Sequence, residues 1–289
     1  MKQLSVLLAL LILLYLNACN VINPSEKIPT YIQIDSVQLL ATNMAKHGSV
    51  NHKITDVWVY YNREILGPFE LPARVPVLAE GHGELQILAG IYDNGLTVTR
   101  TKYPFYAVDT FSFTAAPAQV IKHTPKFTYR GLDTTATVSY LIEDFEQGNI
   151  FTKRYSNDTT MIRTDAAADK FEGDWCGKIF FKDSVDNAEC ITSTAYLIPP
   201  FKEAYMELNY KCDVPFEIAT EISYQGSLVN SSILNFKATD KWTKVYVSLN
   251  GFSNTFQNGS FKFVIIASKP STTAEATLLF DNFKIIYFN

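Results

Sequence analysis

The chain has 289 residues with 25 basic and 29 acidic side chains, a net charge of −4, and 16 Tyr and 20 Phe. Mild acidity without a Lys/Arg cluster argues against nucleic acid as a partner and against a polybasic grip on anionic lipid. The length is comfortable for two domains, and the abundance of aromatic residues favours β structure.

The chain opens with Lys2 and then Leu4 to Leu16, apolar apart from Ser5. A membrane-spanning helix needs roughly 20 apolar residues, so the run is too short to span and matches the core of a signal peptide. Leu16, Asn17, Ala18 and Cys19 follow. This layout resembles the bacterial lipoprotein signal, with a leucine three residues before the cysteine and a small residue just before it. The resemblance implies that residues 1–18 are a leader and that Cys19 becomes the N-terminus. Its sulfur would carry a diacylglycerol, with a further acyl chain such as palmitate on the amine. Two or three acyl chains hold a protein stably in a bilayer. Residues 19–29 contain two prolines and no periodicity and read as a lipidated tether. The expected location is the outer membrane. Surface-routed lipoproteins of Bacteroidetes carry an acidic cluster after the cysteine. Here there is only Glu26, offset by Lys27, so the side of the membrane stays open.

Beyond the tether, alternation of apolar and polar residues predicts an all-β chain of two β-sandwich domains, at 30–131 and 141–289, joined by a linker at 132–140. "DVWVYYN" places Val57, Val59 and Tyr61 on one face. "GELQILAGIY" places Leu85, Ile87, Ala89 and Ile91 together, and Asn94-Gly95 then predicts a hairpin into "LTVTR" with Leu96 and Val98 inward. His82, between two glycines, reads as a turn. Pro68, Pro72 and Pro76 predict edge strands or an extended loop. The stretch from Ile54 to Tyr106, with its "DVWVY", "GPFELP", "PVLAEG" and "NG…TR…YPFY" segments, is similar to the N-terminal module of uncharacterised Bacteroidetes lipoproteins. That resemblance implies an Ig-like or transthyretin-like sandwich and no activity.

In the second half, "EAYMELNYKC" turns Ala204, Met206, Leu208, Tyr210 and Cys212 inward and Tyr205, Glu207, Asn209 and Lys211 away. Eight or more strands over this length predict a jelly roll. Four segments, "EDFEQG", "YMELNYK", "DKWTKVYVSL" and "LLFDNFKI", resemble those of the galactose-binding-like jelly rolls used as carbohydrate-binding modules. The resemblance implies a structural Ca²⁺ held between the first and last strands, with Glu143, Asp144, Glu146 and Asp281 as oxygen donors. It also implies a sugar site, for which Trp175, Asp174, Tyr224 and Gln225 are the candidates; packing of Trp175 under its own loop is the bland alternative. Trp242 is expected in the core. Cys176 and Cys190 flank an expected hairpin and are a candidate disulfide, while Cys212 reads as a buried thiol. Asp-Ser/Thr patterns at Ser36, Thr134, Thr159 and Ser184 resemble the O-glycan acceptor of Bacteroidetes.

No H-E-x-x-H or G-x-S-x-G occurs, and Glu143, Asp144 and Glu146 are too close in sequence for two opposed glycosidase carboxylates. The sequence therefore points to a non-catalytic protein with no required cofactor. An accessory subunit of an outer-membrane protein complex is slightly favoured, since exposed tryptophans are few. The alternative is a surface glycan-binding lipoprotein using the jelly roll.

Overall fold

The structure is a computed structural model and describes residues 26–131, 138–155 and 157–289. In the first half, β1 (Thr30–Ile34) lies between β5 (Ala73–Val77) and β9 (Val120–Lys122), and β2 (Gln38–Leu39) pairs with β10 (Lys126–Phe127). A second sheet runs β4 (Glu64–Glu70), β3 (Asp56–Tyr61), β6 (Gly81–Tyr92), β7 (Arg100–Lys102), with β8 (Asp109–Ala115) also on β6. One short helix, α1 (Met44–His47), crosses between β2 and β3. Ile32, Ile34, Val75 and Val77 from the first sheet and Val57, Val59, Leu85 and Ile87 from the second share one core, as strict alternation requires. Pro68 and Pro76 sit on β4 and β5, both edge strands, where a missing N–H removes no ladder bond.

The second half is a jelly-roll sandwich of two six-stranded sheets. The first, here the covered sheet, has the order β13 (Ile162–Thr164), β14 (Cys176–Lys182), β22 (Glu275–Phe288), β17 (Ala204–Cys212), β20 (Thr239–Ser248), with β11 (Val138–Glu143) also on β22. The second, the open sheet, has β12 (Phe151–Lys153), β15 (Asn187–Thr192), β21 (Ser260–Ser268), β18 (Phe216–Tyr224), β19 (Ser227–Phe236), with β16 (Tyr196–Leu197) on β21. A short α2 (Asn250–Thr255) links β20 to β21. Inward residues of both sheets, among them Met206, Leu208, Phe263, Ile265, Phe280 and Phe283, form the largest core.

Several expectations change. Val138–Tyr140, assigned to the linker, open β11 and pair with Phe288–Ile286, so the second sandwich starts earlier; residues 132–137 lie outside the described residues, as does Thr134. Asn94 and Gly95 do take positive φ (55° and 69°), but the chain runs on through turns. Leu96 and Val98 are exposed and the returning strand starts only at Arg100. His82 lies inside β6 opposite Thr114. Cys176 and Cys190 do not form a disulfide: β14 and β15 belong to opposite sheets and all three described cysteines are free and buried. The Cys190 sulfur faces the core and accepts the Met161 N–H, while the Cys176 thiol, on the outer side of β14, donates to the Asp169 carbonyl.

Tyr205, Glu207 and Asn209 do face away from the jelly-roll core, yet all three are buried. The first domain covers that side of the covered sheet. Tyr205, Tyr246 and Ile286 join the first domain's own core.

Candidate functional site

The interface holds a buried charge cluster. Glu207 on β17 is fully enclosed; the Lys244 ammonium lies 2.7 Å from its Oε2 and that of Lys284 3.4 Å. From the first domain, Tyr103 donates to Oε1 at 2.6 Å and Tyr129 to Oε2 at 2.8 Å, while Lys284 Nζ donates to the Tyr129 hydroxyl at 2.7 Å. Burial alone would raise the Glu207 carboxyl, but the two ammonium groups and these donors outweigh it and hold it down to about 2. Burial, only partly offset by Glu207, lowers Lys284 to about 8. His47 stacks on Tyr129 with ring centroids 5.0 Å apart. Its Nε2 accepts the Asn43 N–H and its Nδ1 faces the Gly48 carbonyl, so the ring is neutral with the proton on Nδ1. The carboxylate of Glu207 is satisfied from both domains, and the cluster reads as a domain lock.

Beside it opens a cleft of about 380 Å³ between the domains, lined by Met44, Gly48 and Ser49 from the first and by Asp144, Glu146, Glu172, Gly173, Asp281 and Asn282 from the second. The pairing of β11 with β22 brings Asp144, Glu146 and Asp281 together, as the sequence suggested. Glu172 is the acid that sequence reasoning missed; it is distant in the chain and belongs to no recognisable motif. Glu143 does not take part. Its oxygens accept the Phe145 and Ile150 N–H groups at 2.6 and 2.7 Å and pin the loop backbone. Asp281 accepts from its neighbour's amide, Asn282, at 2.7 Å and from the Glu172 amide at 3.2 Å. The Glu172 carboxylate in turn accepts from Asn282 Nδ2 at 2.8 Å and from the Ser49 hydroxyl. Glu146 Oε1 receives the amides of Asp174 and Trp175, and a Cβ on Gly173 (φ +63°) would stand 2.0 Å from it, so any side chain there is strained and displaces the Glu146 carboxylate. Burial, together with the charges of Glu172 and Asp144, raises the Asp281 carboxyl to about 7. Calcium needs six to eight oxygens converging on one point. Among the described residues no three acidic, His or Cys side chains are grouped closely enough to hold a metal ion, so the expected donor set does not assemble into a calcium shell.

The candidate sugar residues scatter. Trp175 packs partly buried against the jelly-roll core, its ring covered by the Arg163 guanidinium at 4.2 Å; the bland alternative describes it. Asp174 is exposed next to it. Tyr224 and Gln225 lie at the β18–β19 turn on the other sheet, where Tyr224 meets Phe256 edge-on. Trp242 is not in the core; it is half-buried on the outer side of β20 against Phe171.

The open sheet carries a different constellation that the sequence did not reveal. Register pairing lays Ile191, Val264 and Ala219 in one row across its outer face, and they form a small apolar cluster of their own. Arg154, just past β12, spans the face. It donates to Glu189 on β15 at 2.8 Å, to Glu221 on β18 at 2.9 Å and to Asn230 on β19 at 2.6 Å. One side chain can reach from the first strand to the last only if the sheet curls, so this outer face is concave. Tyr155 follows at φ +54°, its ring 69% exposed and stacked at 4.5 Å on the Arg154 guanidinium. A faint signal existed: Glu189 and Glu221 sit at outward positions of alternating strands, but only the topology places both under one arginine.

No family model and no curated protein matches this chain. Among solved structures, about half of this chain is similar in fold to carbohydrate-binding modules. A family 11 module from Clostridium thermocellum, in complex with a β-1,3-1,4-mixed-linked tetrasaccharide, shares 9% identity; the match covers 53% of this chain and 96% of that one, with a TM-score of 0.37. The K1 cleaved adhesin domain of Lys-gingipain from Porphyromonas gingivalis W83 shares 13% identity over 51% of this chain and 97% of its own, with a TM-score of 0.37. TmCBM61 in complex with β-1,4-galactotriose shares 10% identity over 50% and 86%, with a TM-score of 0.30.

Proposed function

We propose that this is a non-catalytic, lipid-anchored envelope protein whose second sandwich binds a glycan on the outer face of its open sheet. The single observation that carries the reading is the concave face itself. It combines planar polar side chains held in fixed positions (Arg154, Glu189, Glu221, Asn230) with an exposed aromatic ring, Tyr155. Sugar hydroxyls need donors and acceptors set in advance, and sugar C–H faces need a flat apolar partner. The opposite face is spent on the first domain. Membrane attachment through Cys19 stays part of the reading on the strength of its lipoprotein-like leader alone.

Titration against a glycan array with native protein, Tyr155→Ala and Asn230→Ala tests it. Saturable binding that weakens at least about tenfold in both variants is expected, a loss of about 1.4 kcal/mol. Absence of saturable binding to any glycan sinks the reading. A second reading, an accessory that docks a protein partner, is favoured by one observation. Leu197 and Phe201 around Pro199-Pro200 are 67% and 72% exposed, and the Phe201 N–H, at φ +58°, donates a hydrogen bond to Asn254 Oδ1. A detergent pull-down that loses its partner on Phe201→Ser, with glycan binding absent, would favour that reading instead.

A further inference from the structure

At the end where the chain enters it, the first sheet carries a patch of exposed apolar side chains. Tyr31, Pro76 and Val120 are register partners and share the outer face of the β5-β1-β9 sheet; Leu78 follows directly on the end of β5, at the same end of the sheet. Leu78 is 64% exposed, Val120 49%, and Ile28 at the start of the described chain 58%. Their buried counterparts on the other face, Thr30, Ile32, Val75 and Val77, fill the domain core, so these apolar groups have no packing role. One row further from the end the character changes. Gln33 pairs with Arg74 and Lys122, both on the same outer face, and the Arg74 guanidinium lies 4.2 Å over the Tyr31 ring. Lys122 is opposed only by exposed Asp35 at 4.0 Å. Apolar groups at the tip with an aromatic ring and two cations just behind follow the polarity profile of a lipid interface.

The position of the anchor adds an independent constraint. Cys19 precedes Ile28 by nine positions, and a nine-residue chain reaches at most about 30 Å fully extended. A tether so short would hold this end of the protein, and not Leu197, Phe201 or Leu228 on the second domain, beside the bilayer. We propose that Ile28, Leu78 and Val120 insert into the outer acyl region of the membrane, with Tyr31, Arg74 and Lys122 at the headgroups. This fixes the first domain upright and turns the second domain outward. The proposal rests on anchoring through Cys19, and the test separates the two.

The three described cysteines are buried, so single Leu78→Cys, Val120→Cys and Leu228→Cys variants of the acylated protein can be labelled with an environment-sensitive nitrobenzoxadiazole dye. Each is bound to vesicles of phosphatidylethanolamine and phosphatidylglycerol, with and without nitroxide-labelled lipid. Intact mass and flotation report acylation. The expected result is roughly threefold brightening and nitroxide quenching at positions 78 and 120, and neither at 228. Floating, acylated protein in which 78 and 120 behave like 228 overturns the docking surface while leaving the anchor intact. Should the native chain carry no acyl group, the anchor reading fails. The same labels on a chain starting at residue 20 behind a hexahistidine tag, held on nickel-chelating lipid, then decide the docking surface: bright upholds it, dark overturns it.

Discussion

The two outer faces of the jelly roll make a direct comparison. Each carries carboxylates and cations at positions that alternate with core residues, Glu207 with Lys244 and Lys284 on one, Glu189 and Glu221 with Arg154 on the other. On the covered sheet the first domain seals the charges, adds Tyr103 and Tyr129 as donors, and leaves an excess of one buried positive charge. On the open sheet the guanidinium keeps two carboxylates and an amide in place while Glu189 and the Tyr155 ring stay within reach of solvent. Outward-facing charge is thus an ingredient in both, and what lies over it decides whether it is sealed into a lock or left facing solvent.

The largest break of this symmetry should come from Glu207→Ala. It leaves two ammonium groups buried without a counter-charge, a loss of about 3–5 kcal/mol. In urea titrations the variant is expected to unfold well before the native protein, with the first domain's Tyr environment lost at the lowest denaturant. The corresponding Glu221→Ala on the open face leaves Arg154 with Glu189 as its counter-charge and should cost less, about 1–2 kcal/mol. Equal losses at the two positions would refute the distinction. Acid should act on the same lock. The Glu207 carboxyl is lower in the folded than in the unfolded chain, so its contribution is complete above about pH 4.5 and fades as pH falls toward 2.

Asp281 at the edge of the lock runs the other way. Its folded-state carboxyl is raised to about 7 against an ordinary 3.8, so the folded chain holds that proton longer and stability falls as pH rises from about 4 to 7. Asp281→Asn removes the charge and keeps one oxygen to accept the Asn282 amide, while its Nδ2 cannot accept the Glu172 amide. It should be about 1 kcal/mol less stable than the native protein near pH 4, for the acceptor lost to Glu172, and exceed it by on the order of 3 kcal/mol at pH 8. A variant less stable than native at pH 8 would mean that a cation or an unseen donor neutralises Asp281, and would revive the calcium expectation. Tyr129→Phe, which removes one donor to Glu207 and the acceptor for Lys284, should cost about 1–2 kcal/mol by thermal and urea unfolding; no change would show that water fills the gap.

How much of this the sequence disclosed follows from where the information lies. Period-two alternation is local, so the strands of both sandwiches and the edge prolines at Pro68 and Pro76 were readable. The neighbouring of β11 and β22 followed from the jelly-roll resemblance and put Asp144, Glu146 and Asp281 in one cleft. What alternation cannot say is what lies beyond a face. "YMELNYK" distinguished in from out correctly but left Glu207 to solvent, because nothing local announces that Tyr103 and Tyr129, 104 and 78 residues away, will cover it. Arg154 with Glu189, Glu221 and Asn230 failed for the same reason: four strands must be ordered before one side chain can be seen to bridge them. Trp175 misled because an exposed-looking loop gave no hint of Arg163 over its ring.

The smallest effect concerns the cysteines, and it separates the two sheets chemically. A link between Cys176 and Cys190 would tie the covered sheet to the open one. The structure instead turns their sulfurs to different environments, Cys176 outward to the Asp169 carbonyl and Cys190 inward to the Met161 amide. Burial pushes the Cys176 thiol up to about 12, with the Asp281 and Asp169 charges adding to it, and burial raises Cys190 as well, so neither supplies the thiolate that attacks disulfides or thiol reagents. With residue 19 blocked or replaced, a thiol titration should read zero in the native protein and three in denaturant, and reductant should leave the melting temperature unchanged. One thiol in denaturant, with a lower melting temperature under reduction, would mean that the sheets are bridged and that the order of β14 and β15 is wrong.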